Sequence, residues 1–194
     1  MPTLNDIKKL HTDDSKHLNL YALNYTLDDG SAKTYEIASY QSNLTENTLG
    51  DGRKGVVLIV MDASKSFILL QREFRMGVNQ TIINLPSGFI DNDETIAEAA
   101  IRELQEETGL HITKIEQMFP ASFISPPVTD QQTWTLLCQA AIDEPKPSND
   151  PKEPIEAFWQ PIRFLPNLLE DKSVKFSART QSLLIGIMIG QSLI

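Results

Sequence analysis

A chain of 194 residues, 41% of them hydrophobic and with a formal net charge of -9, is long enough for one good core, or for one core with a smaller appendage. The acidic balance excludes the basic footprint that duplex nucleic acid needs. Such a chain binds an anion only where a metal ion or a few arginines reverse the local sign. The single cysteine, Cys138, excludes an internal disulfide and a Cys/His ligand cluster.

The N-terminal MPTLNDIKKLHTDD lacks the apolar core of a signal peptide, and the cysteine usage fits a reducing, cytoplasmic setting. Residues 18–41, LNLYALNYTLDDGSAKTYEIASYQ, read as a hairpin, two alternating runs around the turn signal Asp28-Asp29-Gly30. Residues 42–53 are polar and read as a linker. GVVLIVMD (55–62) and SFILLQREF (66–74) read as strands around a short polar turn, and TIINLP (81–86) as a strand ending at Pro86. Gly88 then opens a loop.

Thr95 begins a helix, its spacing to Glu98 that of a capping box. The helix runs to about Thr108, with Gly109 as its C-terminal stop. Strands are expected near 112–124 and 133–142, where Cys138 reads as a small buried hydrophobe. Residues 143–154, rich in proline and charge, read as an exposed loop, and IEAFWQPI as a short strand. Helical patterns near 161–170 and 177–191 close the chain, the second capped by Ser177. Its apolar SLLIGIMIGQSLI is shorter than the roughly 20 residues that span a bilayer, so a buried helix or a subunit contact is expected and no membrane partner. Consecutive strands mixed with helices point to a mixed sheet with helices packed on it.

The helix of residues 95–108 carries Glu103, Glu106 and Glu107 close together. Like charges three and four apart on a helix repel by roughly 0.2–0.5 kcal/mol per pair, which a purely structural helix has no reason to accept. On a helical wheel, Ile96, Ala97, Ala100, Ile101 and Leu104 form the expected apolar face, with the glutamates at its margin. Hard divalent cations prefer such oxygen ligands, magnesium typically a few carboxylates plus water and substrate phosphates. Arg102 is placed to orient a carboxylate or touch a phosphate. The Pro86-Ser87-Gly88 turn allows close backbone approach to a ligand.

The longer pattern is Gly88, five residues, Glu94, seven residues, then Arg102-Glu103-Leu104-x-Glu106-Glu107-x-Gly109-Leu110. It resembles the full signature of the Nudix hydrolases, which cleave nucleoside diphosphates linked to a further group. The resemblance implies an α/β/α sandwich around a mixed sheet. It implies Mg²⁺ or Mn²⁺ bound by Glu103, Glu106 and Glu107 with help from a backbone carbonyl near Ser87, and Gly88, Glu94 and Gly109 as structural members of the motif. Catalytic parts are expected for Glu106, Glu107 and Arg102.

Beyond the box, the chain resembles the ADP-ribose pyrophosphatase branch. The hairpin ending in KTYEIAS resembles that branch's extra sheet, which commonly builds a homodimer. On this reading residues 1–48 are a dimerisation extension and 49–194 the hydrolase domain. Arg72-Glu73-Phe74-Arg75 resembles a segment in which an arginine contacts substrate, so Arg72 and Arg75 are expected there. Leu85-Pro86-Ser87-Gly88 resembles LPAG, Pro126 matches a marker proline sixteen positions past the box, and Ser177-Ala178-Arg179-Thr180 resembles a late Asp-Ala-Lys-Thr segment.

The chain departs from the branch at two places. Gln131 stands where a glutamate often acts as base or metal ligand, and an amide is no base near neutral pH; Asp130, one residue away, is the expected substitute, with Glu106 or Glu107 as alternatives. Asn84 stands where the branch often has glutamate.

His11, His17 and His111 share no spacing and read as surface residues, and Trp134 and Trp159 as core. The expected activity is divalent-metal-dependent hydrolysis of ADP-ribose, a small-molecule nucleotide, or of a similar nucleoside diphosphate sugar. The alternatives are a dinucleotide or oxidised nucleoside triphosphate as substrate, or a non-hydrolysing nucleotide sensor.

Overall fold

The computed structural model describes residues 3–10, 18–148 and 154–192; His11, His17 and residues 149–153 of the expected loop lie outside them. The chain divides into two compact units, one formed by residues 1–55 and 120–134, the other by 56–119 and 135–194.

In the first unit, β1 (Thr3–Lys9), β2 (Asn19–Thr26) and β3 (Ala32–Ser39) form an antiparallel sheet in that order. The β2–β3 hairpin is as expected. Its turn uses Gly30 at φ 84, and the Asp29 carboxylate accepts from the Ser31 backbone N–H at 2.9 Å and the Ser31 hydroxyl at 2.6 Å. Strand β1 was not expected, because a register shift between Leu4 and Asp6 breaks its period of two.

The unit's core is Tyr21, Leu23, Ile37 and Leu44, with Leu4 and Ile7 packed on it. Leu44 comes from the polar stretch 42–53 that reads as a linker. That stretch is tied down: Gln41 Nε2 donates to the Thr48 carbonyl at 2.9 Å and Leu49 N–H to the Thr45 carbonyl at 2.8 Å. Residues 120–134 join through Ala38 N–H to the Val128 carbonyl (2.8 Å) and Tyr35 Oη to the Pro127 carbonyl (3.1 Å).

The larger sheet comprises β4 (Lys54–Met61), β5 (Phe67–Arg75), β6 (Gln80–Asn84) and β7 (Ser87–Phe89), then β8 (Ile112–Met118), β9 (Ser122–Phe123), β10 (Gln132–Ala140) and β11 (Ile155–Pro161). Its order is β11-β5-β4-β10-β8, with β6 on β5, β7 on β4 and β9 on β10. Where one strand was expected over 112–124, Phe119-Pro120 interrupts it, since proline has no N–H for the ladder.

Helix α1 (Ile96–Thr108) follows β7. After β11 come a 3-10 turn (Ile162–Phe164), α2 (Leu165–Glu170) and α3 (Ala178–Ser192). Thr180 N–H donates to Ser177 Oγ at 3.3 Å, so Ser177 caps α3 as expected.

The sheet is buried on both faces. Val57, Ile68 and Leu70 pack with Ile162, Leu165 and Leu184 from the C-terminal helices. Val56, Leu58 and Val60 alternate to the other face and are just as dry. Gln71 on β5 contacts Glu107 of α1, which puts α1 over that second face. A mixed sheet between helical layers, with an antiparallel N-terminal extension, is the expected fold. Cys138 is fully buried, and burial pushes its thiol up to about 12. Trp134 and Trp159 are only half-buried, a correction to their reading as core residues.

Candidate active site

Helix α1 begins with both halves of the capping box. Glu98 N–H donates to Thr95 Oγ1 at 3.2 Å, and Thr95 N–H donates to Glu98 Oε2 at 2.8 Å. The helix ends at Gly109, whose φ of 69 is left-handed and whose N–H reaches the Gln105 carbonyl. The expected length is right, but the buried face is turned. It consists of Ala99, Ala100, Leu104, Glu107 and Thr108, while Ile101 is 45% exposed.

Turning the helix separates the three glutamates. Glu107 lies at the centre of the buried face. Its Oε2 accepts from Gln71 Nε2 at 2.7 Å and from the Ser87 backbone N–H at 3.2 Å. Burial raises its carboxyl to about 8, against the pull of Gln71's hydrogen bond. Glu103 is mostly covered, and burial raises its carboxyl too, against Arg102. Glu106 is exposed.

Arg102 is the hub. Its Nε and Nη2 hold the two oxygens of Glu94 at 2.8 and 2.9 Å, Nη1 reaches Glu103 at 2.9 Å and Glu106 at 3.1 Å, and Nη2 also donates to the Phe89 carbonyl at 2.9 Å. Its hydrogen bond holds the Glu94 carboxyl below the usual range. These contacts engage its donors on the loop and the helix.

The glycine at 88 has a different use from the one its turn suggests. A Cβ there would overlap the Glu103 carboxylate. Gly88 therefore makes room for that carboxylate against the loop.

Among the described residues, no three His, Cys, Asp or Glu side chains converge as a ready-made metal cage. Arg102 draws Glu103 and Glu106 to itself, and Glu107 faces Gln71. The donors still fit a hard divalent cation. They are carboxylate oxygens, those of Glu103 and Glu107 desolvated and those of Glu107 without an ion pair among the described residues, beside a buried acceptor, Gln71 Oε1, that has no donor.

Sequence reasoning missed a buried polar network beside Ser87. Glu73 Oε1 accepts from Arg75 Nε and Asn84 Nδ2, both at 2.7 Å. Asn84 Oδ1 accepts from Ser177 Oγ at 2.7 Å and Thr180 Oγ1 at 3.1 Å. Arg179 Nη2 donates to Ser87 Oγ at 2.9 Å, and its Nε to Asn84 Oδ1 at 3.4 Å. The only signal was the late Ser-Ala-Arg-Thr segment. Ser177, Arg179 and Thr180 lie 93, 95 and 96 residues from Asn84 in sequence, and Arg179 lies 92 from Ser87, beyond any local pattern.

Of the remaining expected residues, Arg75 is held by Glu73, and Arg72 lies 4.2 Å over the Phe158 ring with Glu156 at 3.7 Å. Pro126 and Asp130 belong to the first unit. There both line an apolar cavity of about 420 Å³ with Tyr25, Tyr35 and Phe123. Asp130 is buried, Oδ2 accepting from Gln41 Nε2 at 2.9 Å and Oδ1 without a donor.

A sandwich that presents desolvated carboxylates, one arginine hub and a strand-to-helix loop is the frame of a phosphoanhydride hydrolase acting through a divalent cation. Residues 52–180 match the family model of the NUDIX domain. The chain is 30% identical to an ADP-ribose pyrophosphatase of Saccharomyces cerevisiae, over 93% of this chain and 80% of that protein. It is 27% identical to an ADP-ribose pyrophosphatase of Bacillus subtilis, over 85% of this chain and 82% of that one. A crystal structure of an ADP compounds hydrolase shares the fold at a TM-score of 0.74 and 21% identity, covering 100% of this chain and 97% of that one. The chain belongs to the Nudix family and is a pyrophosphatase of it, and members of that family generally need a divalent metal.

Proposed function

We propose that this pyrophosphatase hydrolyses ADP-ribose, or a similar nucleoside diphosphate sugar, to AMP and a sugar phosphate. The observation that carries the reading is the Gly88–Gly109 loop and helix. Its carboxylates are held by one arginine, beside a loop tied to Glu107 through the Ser87 N–H. The names of the two ADP-ribose pyrophosphatase relatives, matched over most of their length, support the choice of substrate.

In this proposal Glu103, Glu106 and Glu107, with the Ser87 carbonyl, hold Mg²⁺, or Mn²⁺ in its place. Bound there, the ion neutralises anhydride oxygens and acidifies a water. Arg102, itself held by Glu94, is proposed to support the loop and helix that carry these carboxylates and to release Glu103 and Glu106 to the ion. Arg72 and Arg75 are proposed to meet the substrate. The part for Pro126 rests on the resemblance and that for Asp130 on its place beside Gln131, where the resemblance fails: slower turnover in Asp130→Asn supports the part for Asp130, and unchanged turnover discards it. Residues 1–48 are proposed as a dimerisation extension of a hydrolase domain over 49–194, in a cytoplasmic homodimer.

The deciding experiment is a panel of ADP-ribose, other nucleoside diphosphate sugars, dinucleotides and oxidised nucleoside triphosphates with Mg²⁺, read by coupled phosphate release. Fastest release from ADP-ribose or another diphosphate sugar is expected. A preference for dinucleotides or triphosphates overturns the substrate, and binding of ADP-ribose without cleavage by the intact chain overturns the reaction.

A further inference from the structure

The arginines around the glutamates differ in what they have left to offer. Arg102 is saturated by Glu94, Glu103, Glu106 and the Phe89 carbonyl. Arg75 is paired with Glu73 at 2.7 Å, and Arg72 stacks on Phe158 within reach of Glu156. Arg179 stands apart. Its partners are neutral oxygens, Ser87 Oγ and Asn84 Oδ1, and among the described residues no carboxylate comes within ion-pairing distance of it.

The rest of its guanidinium fork carries no hydrogen bond among the described residues. The guanidinium has given up much of its water, and the carboxylates that attract it, Glu73 and Glu107, act from beyond contact distance. Its head is nonetheless fixed. Asn84 is itself anchored by Ser177, Thr180 and Glu73, and the same Ser87 that accepts from Arg179 donates its backbone N–H to Glu107. The free side of a rigid cationic fork is thus held one residue from the metal-binding carboxylates.

We propose that Arg179 is a substrate-binding residue that grips a phosphate of the diphosphate with this open edge. The inference rests on the reading of the site as a pyrophosphatase centre and deepens it, assigning the anion contact to a residue outside the signature motif. Planar N–H pairs match phosphate oxygens two at a time, which lysine cannot do. The Ser87 contact links the grip to the loop that positions Glu107, so phosphate and carboxylate are aligned by one backbone segment.

The test uses Arg179→Lys and Arg179→Gln in the full chain. Binding of inorganic pyrophosphate and of a methylene-bridged ADP-ribose analogue is measured calorimetrically in EDTA. In parallel, KM and kcat for ADP-ribose are measured with Mg²⁺, and Tm with neither ligand. Loss of a charge-assisted contact predicts affinity for both probes about ten- to a hundredfold weaker in Arg179→Gln, a smaller loss in Arg179→Lys, and KM raised by a similar factor. Tm stays near the wild-type value, because Arg179 makes no contact-distance ion pair in the resting protein and its hydrogen bonds go to neutral oxygens.

Wild-type pyrophosphate affinity in Arg179→Gln overturns the proposal, as does a lowered Tm in both variants with KM unchanged, which marks a structural strut. If the wild type binds pyrophosphate through Arg179 but leaves ADP-ribose uncut, the grip stands and the assigned substrate falls.

Discussion

Glu107 lies at the centre of α1's buried face, Glu103 against Gly88, and Glu106 in solvent, so the removal of each has its own consequence. Glu107→Gln keeps the acceptor that Gln71 and the Ser87 N–H use but loses the charge. Turnover is expected to fall at least about a hundredfold, the scale of one electrostatic catalytic contact, with the fold intact by circular dichroism; wild-type turnover would remove Glu107 from the metal site. Gly88→Ala is a sharper probe of position. The atoms nearest the new methyl are the end of the Glu103 side chain, which can swing away, so stability is expected to change little. The displaced carboxylate no longer sits where the loop holds it, and a shift of about 1 Å is worth about a hundredfold in rate. Steady-state kinetics beside a denaturant titration separates the two effects, and equal losses in both would mean that Gly88 serves the backbone.

Local chemistry made α1 the most legible element. The capping box, the Gly109 stop and the length are all in the sequence and all in the structure. Thr95→Ala removes one side-chain cap from an exposed helix start and is expected to cost about 1 kcal/mol, read as a lower denaturant midpoint at unchanged slope; no shift would mean that the Glu98 side chain carries the cap alone. The face of the helix was not legible. Apolarity assigns Ile101 inward and Glu107 to the margin of the apolar face; the structure exposes Ile101 and buries Glu107, whose carboxylate accepts from the Ser87 N–H. Strand β1 was missed because its bulge brings Leu4 and Ile7, three apart, onto one core. The Glu73–Asn84–Arg179 network was missed because its members belong to β5, β6 and α3 and meet only through the fold. The proposed site stood out early because Glu103, Glu106 and Glu107 are crowded into little more than one helical turn, where their mutual repulsion is visible in the sequence.

The whole molecule registers the site through its response to pH. Burial lifts Glu107 to about 8 and raises Glu103 in the same direction. A carboxyl raised on folding holds its proton more tightly in the folded state. Its stabilising contribution is complete below the ordinary value of 4.5 and is lost as pH rises through about 8. Glu94, held down by Arg102, acts oppositely: its contribution is present above its ordinary value and lost as pH falls through its lowered one. The metal-free chain should therefore be most stable in mild acid and weaken toward pH 9, by at most about 1.4 kcal/mol per pH unit for each proton released. A divalent cation would add positive charge beside the ionised Glu107 and bind the folded state alone, so its stabilisation is expected to grow with ligand excess and with pH. Thermal melts from pH 5 to 9, in EDTA and in saturating Mg²⁺, are expected to diverge on the alkaline side. Glu107→Gln should flatten most of the EDTA slope and shrink the Mg²⁺ increment at pH 9. An alkaline slope equal to wild type in that variant would place the titrating charge elsewhere and leave Glu107 without its role as the desolvated anion of the site.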